Sequence, residues 1–259
     1  MAAVTSDAIV LRTTDFSESS LIVTLFTRKY GKIEGIAKGA RRLKNPFESA
    51  LDLLTQISVS FIMKDNGTLD LLTESKLRKR FRPRANNLPG LYAGYYVAEL
   101  TNLMTEPGLP IPELYDEAAE TLNRLEVGGG INHRLLRFEW RLLELSGRQP
   151  SLRHCVECGC ELDLSDLVRG KERVSFALND GGALCPECRR QGEFHDVASV
   201  TASTLSFLDS LACEHEGQEA AEPAKRTLGE ARGLMNRYLC DLLGRRPRMH
   251  NYMRLITSA

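Results

Sequence analysis

The 259-residue chain has no apolar run approaching the roughly 20 residues of a membrane span, which excludes a transmembrane helix. Its first seven residues, Met1 to Asp7, offer neither a basic n-region nor an apolar h-region, so no secretory signal is expected. Catalytic signatures are also missing. No Gly-x-x-x-x-Gly-Lys-Ser/Thr is present, which excludes a P-loop nucleotide cradle. No Gly-x-Ser-x-Gly and no His-Glu-x-x-His occurs either. The histidines at 133, 154, 195, 215 and 250 are scattered and read as surface or capping residues. Gly128-Gly129-Gly130 lacks the preceding strand that a dinucleotide fold requires, and Asp163 and Asp166 read as solvated carboxylates. These absences favour a binding protein over an enzyme. Net charge is absent too, but only as a sum. Residues 1–84 hold 15 Lys/Arg against 9 Asp/Glu, a net +6, and the remainder carries −6. A basic N-terminal module on an acidic body points to a polyanionic partner at one end.

Cysteine is not scarce. Cys155 and Cys158 form one Cys-x-x-Cys pair and Cys185 and Cys188 another, with 26 residues between them. One such turn bites a single ion, and two close a tetrahedron of four thiolates, the layout of a structural zinc site with no open position. Seven cysteines are an odd number, and a chain this long buries a core without staples, so disulfides are not expected. Neither pair opens a helix after a strand, which argues against a thioredoxin-like redox motif. Cys160, His154 and His195 lie close by and read as bystanders. Cys213 and Cys240 fall in apolar helical patterns and read as small buried residues. A reducing cytoplasm is the expected compartment.

The first 80 residues read as strands at 8–13, 21–27, 32–38 (with Gly35 a bulge), 56–63 and 68–75. Ile57, Val59, Phe61 and Met63 alternate with Gln56, Ser58, Ser60 and Ile62, and Asp65-Asn66-Gly67 is a hairpin turn. Five short strands fit a small closed barrel, which leaves no exposed edges. After Pro83 the period becomes helical. Helices are expected at 91–104 and 113–125, then along Ile131, Leu135, Phe138, Leu142 and Leu145, ending at Gly147. Two more follow the cysteine segment, the last along Leu228, Ala231, Met235, Tyr238 and Leu242, and 214–223 reads as an exposed loop. The expected class is α+β and multidomain: an N-terminal OB-fold β-barrel at 1–82, a helical domain at 83–150 and 196–259, and an inserted zinc-ribbon-like module at 151–195.

Three basic clusters stand out on the barrel. Lys29 and Lys32 flank Tyr30; Lys38, Arg41, Arg42 and Lys44 form a loop; Lys76, Arg78, Lys79, Arg80, Arg82 and Arg84 lie where the barrel ends. Strand-end loops of small barrels track single-stranded nucleic acid, and lysine and arginine release condensed counterions from phosphates. Lys38, Arg41 and Arg42 are the first choices for phosphate contacts. Aromatics are few here: Phe26 and Phe61 read as core, and Tyr30, Phe47 and Phe81 as candidates to stack on bases.

Four segments, in order, are similar to one family. Residues 17–32 (SESSLIVTLFTRKYGK) resemble the first hairpin of the RecO family of bacterial recombination mediators, and 37–42 (AKGARR) resemble its most recognisable loop. Residues 138–150 (FEWRLLELSGRQP) resemble the helix leading into its zinc segment, and 181–185 (GGALC) the entry to its second cysteine pair. The likeness runs from about residue 5 to about 245; the segment 245–250 is similar to the family's basic tail only loosely. The resemblance implies an OB-fold, a helical domain and one structural Zn2+. It also implies binding of single- and double-stranded DNA and annealing of complementary strands without ATP. Implied partners are RecR, single-stranded-DNA-binding protein and, indirectly, RecA, in a cytoplasmic, nucleoid-associated setting. Two rival readings remain: a zinc-ribbon and OB protein of transcription or translation that binds structured RNA, and an unrecognised nuclease or transferase.

Overall fold

Five strands close into a barrel in the order β1-β2-β3-β5-β4, with β1 at Val4–Asp15, β2 at Leu21–Thr27, β3 at Gly31–Ala37, β4 at Gln56–Ile62 and β5 at Asp70–Lys79. The computed structural model describes residues 3–42, 44–47, 50–64, 68–169, 172–213, 223–252 and 255. The expected turn at 65–67 and most of the expected loop at 214–223 lie outside the described residues.

Closure depends on β1, which is long enough to pair twice. Its first half pairs with β4, from Val4 opposite Phe61 to Ile9 opposite Gln56. Its second half pairs with β2, from Ala8 opposite Thr27 to Asp15 opposite Leu21. A register shift between Val10 and Arg12 supplies the bend that takes one strand from one neighbour to the other. A short parallel ladder between β3 and β5, with Gly35 opposite Asp70, completes the ring. The side-chain period of two fills the interior: Ile57, Val59 and Phe61 are fully buried while Ser58 and Ser60 are half-buried. Burying a side chain of this size stabilises the barrel by about 1.5–3 kcal/mol each.

Three strand-level expectations are corrected. Gly35 is no bulge, because the β2–β3 register runs through it unbroken. The residue is needed for space: a Cβ there would lie 2.6 Å from Leu72 Cδ2. Met63 falls past the end of β4 and is exposed. β5 continues to Lys79, so Lys76, Arg78 and Lys79 stand on a strand.

By Cα clustering the chain divides into two units, Met1–Ile131 with Asn251–Ala259, and Asn132–His250. In the first, α1 (Leu88–Met104) and α2 (Pro112–Val127) pack on each other and on β1. Helix α1 starts three residues earlier than its apolar pattern suggests, because Asn87 caps it: its side chain accepts from Gly90 N at 2.9 Å. The second unit holds α3 (Ile131–Leu145) apart from its first residue, α4 (Leu164–Arg169), β6 (Arg173–Ala177), β7 (Gly182–Leu184), α5 (Pro186–Gln191), β8 (Val197–Thr201), α6 (Ala202–Ser210) and α7 (Lys225–Leu242). Its strands form a small antiparallel sheet in the order β7-β6-β8. Glu230 of α7 ties this sheet to α6, accepting from Thr201 N at 2.9 Å and from the hydroxyls of Thr201 and Thr204 at 2.6 Å each. Burial opposes its charge, but those donors and Arg173 outweigh it and hold the carboxyl down at about 2.

Candidate nucleic-acid interface and metal centre

The basic residues of the barrel do not form one surface. Lys29 is exposed on the turn between β2 and β3. Lys38 starts the connection from β3 to β4, and Leu21 opposite Ala37 places it at the other end of that strand pair. Seven residues of strand separate the two ends, on the order of 20 Å.

The clusters also differ in charge state. Lys38, Arg42 and Lys44 are exposed, and none has a carboxylate partner among the described residues. Arg41 pairs with Asp15 at 3.1 Å. The strand cluster is largely neutralised: Lys76 meets Glu74 at 3.3 Å, Arg78 meets Asp7 at 3.8 Å, Lys79 meets Glu126 at 2.8 Å, and Arg80 meets Asp52. A phosphate arriving there must displace a carboxylate. Lys32 has another task. Its Nζ donates to Asn102 O at 2.7 Å, and burial lowers its pKa. Lys29, Lys32, Tyr30, Met63 and Lys64 line an open cleft of about 680 Å3.

The connections between strands are joined at the Lys38 end. Arg41 N donates to Ser19 O at 3.1 Å, fastening the 38–44 loop to the β1–β2 turn. That turn is closed by Phe16 N to Ser20 O at 3.0 Å and Ser17 N to Ser20 O at 3.2 Å. Of the aromatics expected to stack on bases, Phe47 is 2% exposed and belongs to the core, Tyr30 packs edge-on against Phe61 at 5.5 Å, and Phe81 is half-buried. The sequence reading missed Phe16, which is 59% exposed. Its signal was positional: an aromatic between a strand end and a run of serines is not part of an alternating core pattern.

In the second unit the Sγ atoms of Cys155, Cys158, Cys160 and Cys185 all lie within 4.8 Å of one another. A tetrahedral ion with metal–sulfur bonds near 2.3 Å sets its sulfurs about 3.8 Å apart. Cys158 Sγ and Cys185 Sγ are 3.8 Å apart. Local backbone builds this arrangement. Gly159 N donates to Cys155 O and Cys155 N to Cys160 O, both at 2.9 Å, curling the first turn. Val156 N to Ala183 O at 3.0 Å brings that turn onto β7. The approach requires glycine at 182, where a Cβ would lie 2.4 Å from Val156 Cγ1. Cys185 caps α5, its Sγ accepting from Cys188 N at 3.3 Å, so the second pair does open a short helix directly after β7, contrary to the expectation from sequence.

The thiols cannot all be anionic without a cation. Burial opposes the charge on Cys155, but the amides of Cys158, Cys185 and Glu157 outweigh it and bring the thiol to about 6. The Cys188 amide lowers Cys185 as well. Contacts with Cys158, and then with Cys185, push Cys160 up to about 12, and contacts with the same two sulfurs raise Cys188. In that arrangement the protonated thiols donate to their anionic neighbours, and a divalent ion would take the place of those protons. The donors present therefore fit a metal, and Cys160, expected to stand aside, lies inside the group.

A closed five-stranded OB-like barrel with a basic loop at one end, joined in sequence to a helical segment carrying clustered thiols, defines a class of nucleic-acid-associated proteins. Residues 1–81 match the family described as Recombination protein O N terminal, and residues 85–250 match Recombination protein O C terminal. The chain is 40% identical to the DNA repair protein RecO of Rhodopirellula baltica, covering 95% of this chain and 97% of that one. It is 30% identical to that of Roseiflexus sp. (94% and 82% covered) and 32% identical to that of Halalkalibacterium halodurans (86% and 84%). The chain belongs to the RecO family.

Proposed function

We propose that this protein is a mediator of DNA repair and homologous recombination. It binds single- and double-stranded DNA, anneals complementary strands, and with RecR helps load RecA onto DNA coated by single-stranded-DNA-binding protein. The observation that carries the reading is the loop of Lys38, Arg42 and Lys44, three exposed cations with no carboxylate partner among the described residues, at one end of an OB-like barrel. Cations not engaged within the protein neutralise phosphates without first breaking an internal pair. They hold one strand and lower its repulsion for a second, and base pairing supplies the free energy, so no catalytic residue and no ATP is needed. Lys29, Arg41, Arg78, Lys79 and Arg80 extend the contact, Lys32 through the cleft it lines. The setting is the cytoplasm, at the nucleoid.

The metal is Zn2+, held by Cys155, Cys158, Cys185 and Cys188, with Cys160 as a fifth thiol at the centre. The ion supplies cross-linking of the thiol segment, and the chain's own residues do the rest of the work at the barrel.

The test is annealing of two complementary oligonucleotides, one pre-coated with single-stranded-DNA-binding protein, without nucleotide. The intact protein should accelerate annealing, and the acceleration should fade with salt. Replacing Lys38, Arg42 and Lys44 with alanine should flatten the log–log salt dependence of single-strand binding by about 0.7 per lost contact, about 2 in all. An unchanged slope would remove this loop from the interface. Preference for duplex RNA over single-stranded DNA would favour a role in transcription or translation instead.

A further inference from the structure

Exposed apolar side chains occurring singly are ordinary, and Phe16 alone would carry nothing. Three features set it apart. It is the one aromatic of residues 1–84 that is more than half exposed. Its turn is fixed in shape by the hydrogen bonds to Ser20, with Ser20 N donating in return to Ser17 Oγ at 3.2 Å. Its turn is also anchored to the loop whose cations Lys38, Arg42 and Lys44 have no carboxylate partner among the described residues, through Arg41 N to Ser19 O and the Arg41–Asp15 pair.

Register places the side chain relative to the charges. Asp15 lies opposite Leu21, and Leu21 lies opposite Ala37. Adjacent strands are about 4.8 Å apart, so the residues that follow, Phe16 and Lys38, leave the sheet about 10 Å from each other. An aromatic side chain on a hydrogen-bonded turn, tied through Arg41 to the loop that carries Lys38, Arg42 and Lys44, offers what a single strand needs: a π-face for a base and cations for its phosphates.

We infer that Phe16 is a base-stacking residue, and that a nucleobase of a single DNA strand lies on its ring while the flanking phosphates meet Lys38, Arg42 and Lys44. This rests on the DNA-binding reading above and adds what electrostatics lacks, a grip on unpaired bases that a duplex does not offer. Stacking tolerates every base, as a strand-annealing protein requires.

The experiment measures binding of the full chain to oligo-dT and to an abasic oligonucleotide of equal length. Phe16→Ala should weaken oligo-dT binding by about 5- to 150-fold, the loss expected for one stacked base. It should leave affinity for the abasic backbone unchanged. Phe16→Trp should retain binding, and its emission should be quenched by oligo-dT but not by the abasic strand; the single native tryptophan, Trp140, is 1% exposed and serves as an internal reference. Wild-type affinity in Phe16→Ala, or an equal loss on both oligonucleotides, would overturn the stacking role while leaving the basic loop in place. No binding of either oligonucleotide by the wild-type protein would sink the DNA-binding reading and this inference together.

Discussion

Five thiols crowd a centre that has four positions. Cys155, Cys158 and Cys185 belong to both candidate sets; the fourth place is contested by Cys188, which completes the second Cys-x-x-Cys turn, and Cys160, whose Sγ lies within 4.8 Å of the other three. Exchange between them needs no large rearrangement, because Cys160 follows the first turn and Cys188 sits in α5, capped by Cys185. Cys160→Ser should therefore keep one zinc per chain. Cys188→Ser should keep the ion with lower affinity, and the double variant should lose it. Competition with a chromophoric chelator, read alongside free-thiol titration, measures all three. Loss of zinc from Cys188→Ser alone would show that Cys160 cannot serve. Sequence made the two pairs legible because their spacing is a local rule. It could not place Cys160, whose position depends on how Val156 seats against β7.

Within the elements, α7 shows why pattern reading stops where it does. The apolar stripe at Ala231, Met235 and Tyr238 is buried as its period implies. Arg232 shares that buried face, 6% exposed, and is bonded to Glu139 of α3, which is 0% exposed. The partners are 93 residues apart, so no local periodicity reveals them. Arg232 Nε and Nη1 are buried and have no hydrogen-bond partner among the described residues. Removing one member of a buried pair strands the other charge and costs about 3–5 kcal/mol, whereas removing both can be nearly neutral. Glu139→Met should then destabilise the second unit by about that amount, and the double change Glu139→Met with Arg232→Met should cost less than the sum of the two single changes. Urea titration of the four-member cycle checks this; additive losses would mean that the two side chains act independently. The barrel strands were easier to read, since alternation over seven residues of β4 is both the signal and the cause of burial. The ends of β1 and β5 were harder, because barrel closure extends them past their apolar cores.

At the scale of the molecule, the excess positive charge and the thiol cluster are segregated by unit. The net +6 lies in residues 1–84, and the thiol centre lies between residues 155 and 188 of the second unit. The barrel owns a closed core, built from Val10, Val23, Leu25, Ile57, Val59 and Phe61 among others, and needs no ion to form it. Among the described residues, the segment around the cysteines builds a three-stranded sheet and two six-residue helices, α4 and α5, and its cysteine turns lie in the connections between these short elements, where a bound ion would cross-link them. A metal bound there would add its binding free energy to the folding of the segment. Chelation should accordingly abolish amide protection at residues 151–191 while protection in β1 to β5 persists, as read by hydrogen exchange with and without chelator. Single-stranded DNA binding should survive in the chelated protein with its salt dependence intact, because the contacts proposed for it are Lys38, Arg42 and Lys44 of the barrel unit. Were DNA binding lost while the strands stayed protected, Arg153, Arg189 and Arg190, which flank the thiols, would have to be counted as part of the interface. Were barrel protection lost as well, the centre would be supporting the whole chain rather than its own segment.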